Sequence, residues 1–228
     1  RAYCSVAELA GLGALAPVVT AVTIGFDTPD KMAEQAAAHR TRPLLKLEFS
    51  GDSDVEHVRA VRQAAPGARL VVDAQESWTE RQLDEFIPVL RDCRVQLIEQ
   101  PLPAGADDAL ARLESPIPIC ADESCRTVAD LDRLDGKYQA ITIKLDKAGG
   151  LTEALALAAA AKRRGLRIMV GGAIGTSLGV APALLVAQGA EMIALDGPLF
   201  LAADRVPGLR YEGSTILPSE ANFWGGAG

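Results

Sequence analysis

The sequence predicts a (β/α)7β barrel, and three observations carry that reading. Eight strand-like runs alternate with amphipathic segments from end to end, with no low-complexity linker between them. Four of those runs, LVVD, VQLIE, IPICAD and AITIK, break on a charge at Asp73, Glu99, Asp122 and Lys144, at intervals of 26, 23 and 22 residues. That interval is close to one strand plus one crossover helix. The phosphate-binding GxGxxG that an open doubly wound sheet usually carries after its first strand is missing.

Taken in order, the strands are read at 18–24, 44–49, 69–73, 95–99, 117–121, 140–145, 167–171 and 191–196. Helical patterns fill the gaps at 30–40, 54–65, 80–92, 106–114, 127–134, 151–165 and 177–189, several of them ending on Gly or running into Pro. Residues 1–17 read as a linker into the barrel, and 18–228 as the barrel with a Gly-rich tail that packs across one end or frays. Hydrophobic residues make up 49% of the 228, but charge or Gly interrupts the apolar runs well before the ~20 residues of a membrane span. The start, RAYCSVAEL, lacks the basic-then-apolar pattern of a secretory leader. A net charge of −7 argues against a nucleic-acid surface. Cys4, Cys93, Cys120 and Cys125 form no CxxC pair, so reduced thiols in a cytoplasmic protein are expected. His39 and His57 fall in helical stretches and are expected on the surface.

Side-chain direction sharpens the pattern. Residues two apart in a strand share a face. In LLKLEF, Leu45 and Leu47 suit the helix-covered outside, so Lys46 and Glu48 point into the barrel near its mouth. The same period pairs Lys144 with Asp146, and Ala194 with Asp196. Any single acid passes as the cap of the next helix, Asp73 and Asp122 included. Three acids and two inward lysines gathered at one rim do not, because charge inside a barrel must pair or coordinate. Grouped carboxylate oxygens suit a hard divalent cation.

The segments VDAQESW, LIEQPLP, ICADESC, IKLDKAGGLTEAL and LDGP resemble the muconate-lactonizing subgroup of the enolase superfamily, and within it the L-Ala-D/L-Glu dipeptide epimerases. The resemblance implies a Mg²⁺ held by Asp73, Glu99 and Asp122, and Lys144 as an acid/base on one face of the substrate α-carbon. It implies a KxK motif on the second strand whose second lysine serves the opposite face, and a DxD motif on the eighth that binds a dipeptide's α-ammonium. Asp196, Asp146, Thr176 and Ser177 complete the candidate substrate-binding set. The expected protein is then a Mg²⁺-dependent isomerase, a homo-oligomer acting on a small carboxylate or dipeptide, with no nucleic-acid or membrane partner. The chemistry is consistent, since a cation that gathers the substrate carboxylate stabilises charge as the α-proton leaves, and inversion needs one proton-carrying group on each face.

The chain departs from that pattern in three places. KxK reads Lys46-Leu47-Glu48, DxD reads Ala194-Leu195-Asp196, and residues 1–17 are expected to be too short for the family's N-terminal α+β capping domain, as in a fragment, a barrel whose cap is supplied elsewhere or a reduced relative. The candidate catalytic set is therefore Lys144, Lys46 and Glu48. A one-base lyase or dehydratase, or a non-catalytic barrel, stand as alternatives to an epimerase.

Overall fold

The computed structural model describes residues 4–51, 53–219 and 223. Eight parallel strands form one sheet in sequence order: β1 (Val22–Ile24), β2 (Leu44–Glu48), β3 (Arg69–Asp73), β4 (Val95–Glu99), β5 (Ile119–Ala121), β6 (Ala140–Ile143), β7 (Arg167–Gly171) and β8 (Met192–Ala194). The sheet curls until its edges meet. The Ala21 N–H donates to Ile193 O at 2.7 Å, and Thr23 and Asp196 bond across the same seam. Three short strands, Val18–Val19, Tyr211–Glu212 and Thr215–Ile216, make a separate antiparallel sheet leading into β1.

Strand alternation divides the core in two. Leu44, Val71, Leu97, Cys120, Ala140, Met169, Met192 and Ala194 fill the barrel interior, while Leu45, Leu47, Leu70, Val72, Ile98, Ile141 and Val170 face the surrounding helices. Each large aliphatic side chain so buried contributes about 1.5–3 kcal/mol. Two residues further along the interior rows stand Lys46, Asp73, Glu99, Asp122, Thr142 and Asp196, so the apolar plug turns polar at the carboxyl ends of the strands. At that rim Glu48 pairs in register with Asp73, and Asp73 with Glu99.

The helices follow the predicted order with informative exceptions. Pro29–Ala38, Asp54–Ala64, Glu80–Asp92 and Leu151–Arg163 are regular, and the third opens on a capping box between Thr79 and Gln82. The segments expected as helices at 106–114 and 127–134 are single 3₁₀ stretches, Asp108–Arg112 and Val128–Leu134. Each offers a few apolar residues to the sheet, too few to repay a longer α-helix. The helix expected at 177–189 divides into Ser177–Val180 and Ala183–Ala187 around Pro182, which cannot donate to the helical ladder.

Strand ends also shift. The first run divides at Thr20-Ala21, and β6 stops at Ile143 because Leu145–Ala148 is a short helix. The chain then turns through Gly149 and Gly150, at φ of 88° and 117°, into the long helix beyond. His57 is buried, not surface: its Nδ1 lies 2.7 Å from Ser53 O and its ring packs on Phe26 and Phe49. No described helix is long and apolar enough to cross a membrane. Most of the Gly-rich tail lies outside the described residues. Within it Phe223 is buried, with the Arg205 guanidinium 4.8 Å from its ring centroid.

Candidate active site

Asp73, Glu99 and Asp122 close three successive strand-and-loop units, so the barrel carries their side chains to one place. An oxygen from each lies within 4.8 Å of the others, and all three residues are buried. Three lysines surround them. Lys46 Nζ stands 2.8 Å from both Asp73 Oδ2 and Glu99 Oε2. Lys144 Nζ donates to Asp122 Oδ2 at 2.5 Å, and Lys147 Nζ to Asp122 Oδ1 at 2.5 Å. Lys147 also reaches the backbone oxygens of Asp122 and Thr142.

Electrostatics follow from that packing. Burial pushes Glu99 up to about 7, and the neighbouring Asp73 charge adds to the effect, against the pull of Lys46. Burial also works against ionised Asp122, but Lys147 and Lys144 outweigh it and hold the carboxyl below its usual range. Burial would depress both Lys46 and Lys144. For Lys46 the carboxylates of Glu99 and Asp73 raise it well above the ordinary value, and for Lys144 those of Asp122 and Glu99 do the same. Both lysines are thus counter-ions here.

The donor set fits a hard divalent cation. Three buried carboxylates offer only oxygen, and Glu99 Oε2 accepts no hydrogen bond although Lys46 lies beside it. Glu99 Oε1 takes a 2.5 Å bond from the Thr142 hydroxyl, which fixes the carboxylate plane. Asp73, Glu99 and Asp122 would hold such a cation through these oxygens.

The remaining candidates fall around this centre. Glu48 sits at the same rim, half-buried, with no hydrogen bond or ion pair among the described residues. Glu48 and Lys46 share the inward face of β2 but do not pair, because Lys46 is one pleat deeper and turned to Asp73 and Glu99. Asp196 gives its carboxylate to the Thr23 N–H at 2.6 Å and to the Thr23 hydroxyl at 3.2 Å, and burial raises its pKa. Asp146 does not share the inward face of Lys144, since the chain is helical from Leu145 and the period of two has ended. It lines a cleft of about 180 Å³ with Gly171, Gly172, Ile174 and Thr176. Ser177 is buried, and its hydroxyl bonds Asp204 and accepts from the Leu209 N–H at 2.8 Å.

Sequence reasoning missed Lys147, Thr142 and Gln100. The signal for Lys147 was its place three residues after Lys144, which shares a face only if the segment is helical. Thr142 is the inward neighbour of Lys144 on β6. Gln100 is fully buried behind Glu99 and Asp122, where its amide binds the Asp122 N–H at 2.8 Å.

Known proteins share this arrangement of strands. The chain is 43% identical over 209 residues to an N-acetyl-D-glutamate racemase of a Pseudoalteromonas species, which covers 92% of this chain and 66% of that one. It is 43% identical over 213 residues to the L-Ala-D/L-Glu epimerase of Escherichia coli K12, with the same coverages. The chain therefore spans about two thirds of the length of these curated relatives. Among solved structures it matches an Agrobacterium tumefaciens enolase family member with homology to dipeptide epimerases, solved with sodium and L-Ala-L-Glu. That match has 51% identity and a TM-score of 0.93, covering 96% of this chain and 67% of the other. A dipeptide epimerase from Cytophaga hutchinsonii, complexed with Mg and D-Ala-L-Val, matches at 29% identity and a TM-score of 0.88, over 94% and 62% of the two chains. Residues 31–204 match the model of the enolase C-terminal domain-like family, and with the barrel and its acidic triad this chain belongs to that family.

Proposed function

We propose that this barrel removes and returns the proton on the α-carbon of an N-acylated amino acid, as an epimerase or racemase. The observation that carries the reading is one of position. In an eight-stranded barrel β2 and β6 face each other, so Glu48 and Lys46 approach the axis from one side and Lys144 from the other. The triad on β3, β4 and the end of β5 occupies the arc between them. Inversion at a carbon needs that layout: a carboxylate anchored at the centre and a proton-carrying group on each face.

Asp73, Glu99 and Asp122 would hold Mg²⁺, which when bound stabilises the negative charge growing on the substrate carboxylate. The chain's own residues do the rest. With Asp122 and Glu99 both engaged by the cation, Lys144 would lose the carboxylate charges that raise its pKa and keep the burial and the Lys46 repulsion that depress it, which favours its action as a base. Glu48, which stands nearer the mouth than Lys46 on β2, would serve the opposite face.

The racemase and epimerase relatives and the end of β8 support the choice of substrate class. The glutamate of L-Ala-L-Glu and that of N-acetylglutamate share one structure, an α-carboxylate beside an acylated nitrogen. A free α-ammonium distinguishes the dipeptide. Ala194 offers no charge for it and Asp196 is bound to Thr23, which favours the N-acyl amino acid over the dipeptide. All four cysteines are free thiols, which supports a cytoplasmic location.

Proton NMR in deuterated buffer with Mg²⁺ tests the reading on N-acetyl-glutamate and L-Ala-L-Glu. Loss of the α-proton signal with formation of the opposite stereoisomer supports it. Exchange with retention points to one-face chemistry, release of a leaving group to a lyase, and no exchange on either substrate sinks it.

A further inference from the structure

We propose that Gln100 is the positioning residue of the acidic triad: one buried amide fixes where Asp122 stands relative to Glu99 and so sets the divalent-cation affinity of the site. The inference rests on the cation reading above. Gln100 directly follows Glu99 and has no exposed surface. Its φ of 36° is left-handed, a conformation that is costly for a non-glycine residue and persists only where the surroundings enforce it.

The surroundings do. Gln100 Oε1 accepts from the N–H of Asp122 at 2.8 Å and of Ser124 at 3.1 Å. Nε2 donates to Leu102 O at 2.8 Å, the Ser124 hydroxyl at 2.9 Å and the Tyr138 hydroxyl at 3.2 Å. Two protons serve three acceptors, so one bond is shared and the amide has a single workable orientation. Beyond it, Ser124 and Tyr138 both donate to Asp107 Oδ2, at 2.7 and 2.6 Å, and Lys137 neutralises Oδ1 at 2.7 Å. Burial disfavours that charge, yet the bonds from Lys137, Tyr138 and Ser124 hold the Asp107 carboxyl below its ordinary range.

The bracket grips the backbone of Asp122 and leaves its carboxylate to face the site. Its reach extends through the loop after β4 to the turn before β6, so the Glu99–Asp122 spacing is set before any ion arrives. Only an amide meets both demands, since Leu strands the Asp122 N–H and Glu lacks the donors. Residues that orient metal ligands from behind typically carry 10- to 100-fold of metal affinity.

Calorimetric Mg²⁺ titration of the full 228-residue chain, unaltered and with Gln100→Leu, tests this beside thermal melts in EDTA and in Mg²⁺. One site is expected in the unaltered chain, weakened roughly 10- to 100-fold in the variant, with a smaller Mg²⁺-induced rise in melting temperature. A purely structural role would lower the EDTA melt and leave the affinity alone. Equal affinity in a cooperatively folded Gln100→Leu overturns the inference. Should that variant not fold, Gln100→Asn, which withdraws the amide by one methylene, decides by the same criterion. No binding by the unaltered chain overturns the cation reading and this inference with it.

Discussion

Lys144 and Lys147 grip opposite oxygens of one carboxylate, but their commitments differ. Lys147 also holds two backbone carbonyls, so its three donors are spent, whereas Lys144 has the single bond to Asp122 and a more exposed side chain. Of the two, Lys144 is therefore the better placed for the proposed proton transfer. Lys144→Ala should lower α-proton exchange by about 10²–10⁴-fold with folding intact, read by NMR in deuterated buffer. Exchange near the unaltered rate would move the base to β2. Glu48→Gln separates the two faces: inversion should be lost while exchange with retention persists on the Lys144 side. Should inversion survive in Glu48→Gln, Lys46 is the second group. At this scale the sequence was readable wherever a strand period held. Lys46, Asp73, Glu99, Asp122 and Lys144 all lie at inward positions. It failed from Leu145, two residues past Ile143, where the switch from a period of two to 3.6 took Asp146 off the inward face and brought Lys147 in.

The strands were legible as elements because each is a short apolar run stopped by a charge, Gly or Pro. Their partners were less so. Asp108–Arg112 and Val128–Leu134 have helical composition but form only 3₁₀ stretches, although their connections are about as long as the one that holds the helix Pro29–Ala38, so chain length between strands does not foretell them. The ends of β7 and β8 carry a constraint invisible in sequence, the room left by missing side chains. A Cβ on Gly171 would stand 3.3 Å from Thr142 Cγ2 and 3.4 Å from Lys144 Cε. Gly171→Ala should therefore displace Lys144 and reduce exchange about 10-fold or more, because small misplacements at a reacting centre are costly. Its urea midpoint should stay near that of the unaltered chain. At Gly197 the obstacle is backbone: a Cβ would come 2.5 Å from Ala173 O. Gly197→Ala must push the β7 and β8 loops apart, at about 1–3 kcal/mol. An unchanged urea midpoint would show that these loops yield freely.

Across the whole molecule, the barrel stores charge at its mouth that it tolerates only under defined conditions. Glu99 has an ordinary value of 4.5 and is raised by burial to about 7, so between those limits the folded chain binds a proton that the unfolded chain has released. More protons on the folded side mean that this group's contribution to stability falls as pH rises through that window, by up to about 3 kcal/mol. Asp122 has the opposite sign, but its depressed pKa confines its effect to acid below 3.8. Urea unfolding in EDTA at pH 5, 6, 7 and 8 should show the fall. Glu99→Gln isolates it, because the variant lacks the titrating carboxyl, so the stability difference between unaltered and variant chains should shrink or reverse as pH rises from 5 to 7. A cation that binds the ionised triad competes with that proton, so stabilisation by Mg²⁺ should grow across the same interval. If the difference between the two chains is flat from pH 5 to 7, Glu99 titrates near its ordinary value, and the buried triad is neutralised by Lys46, Lys144 and Lys147 alone.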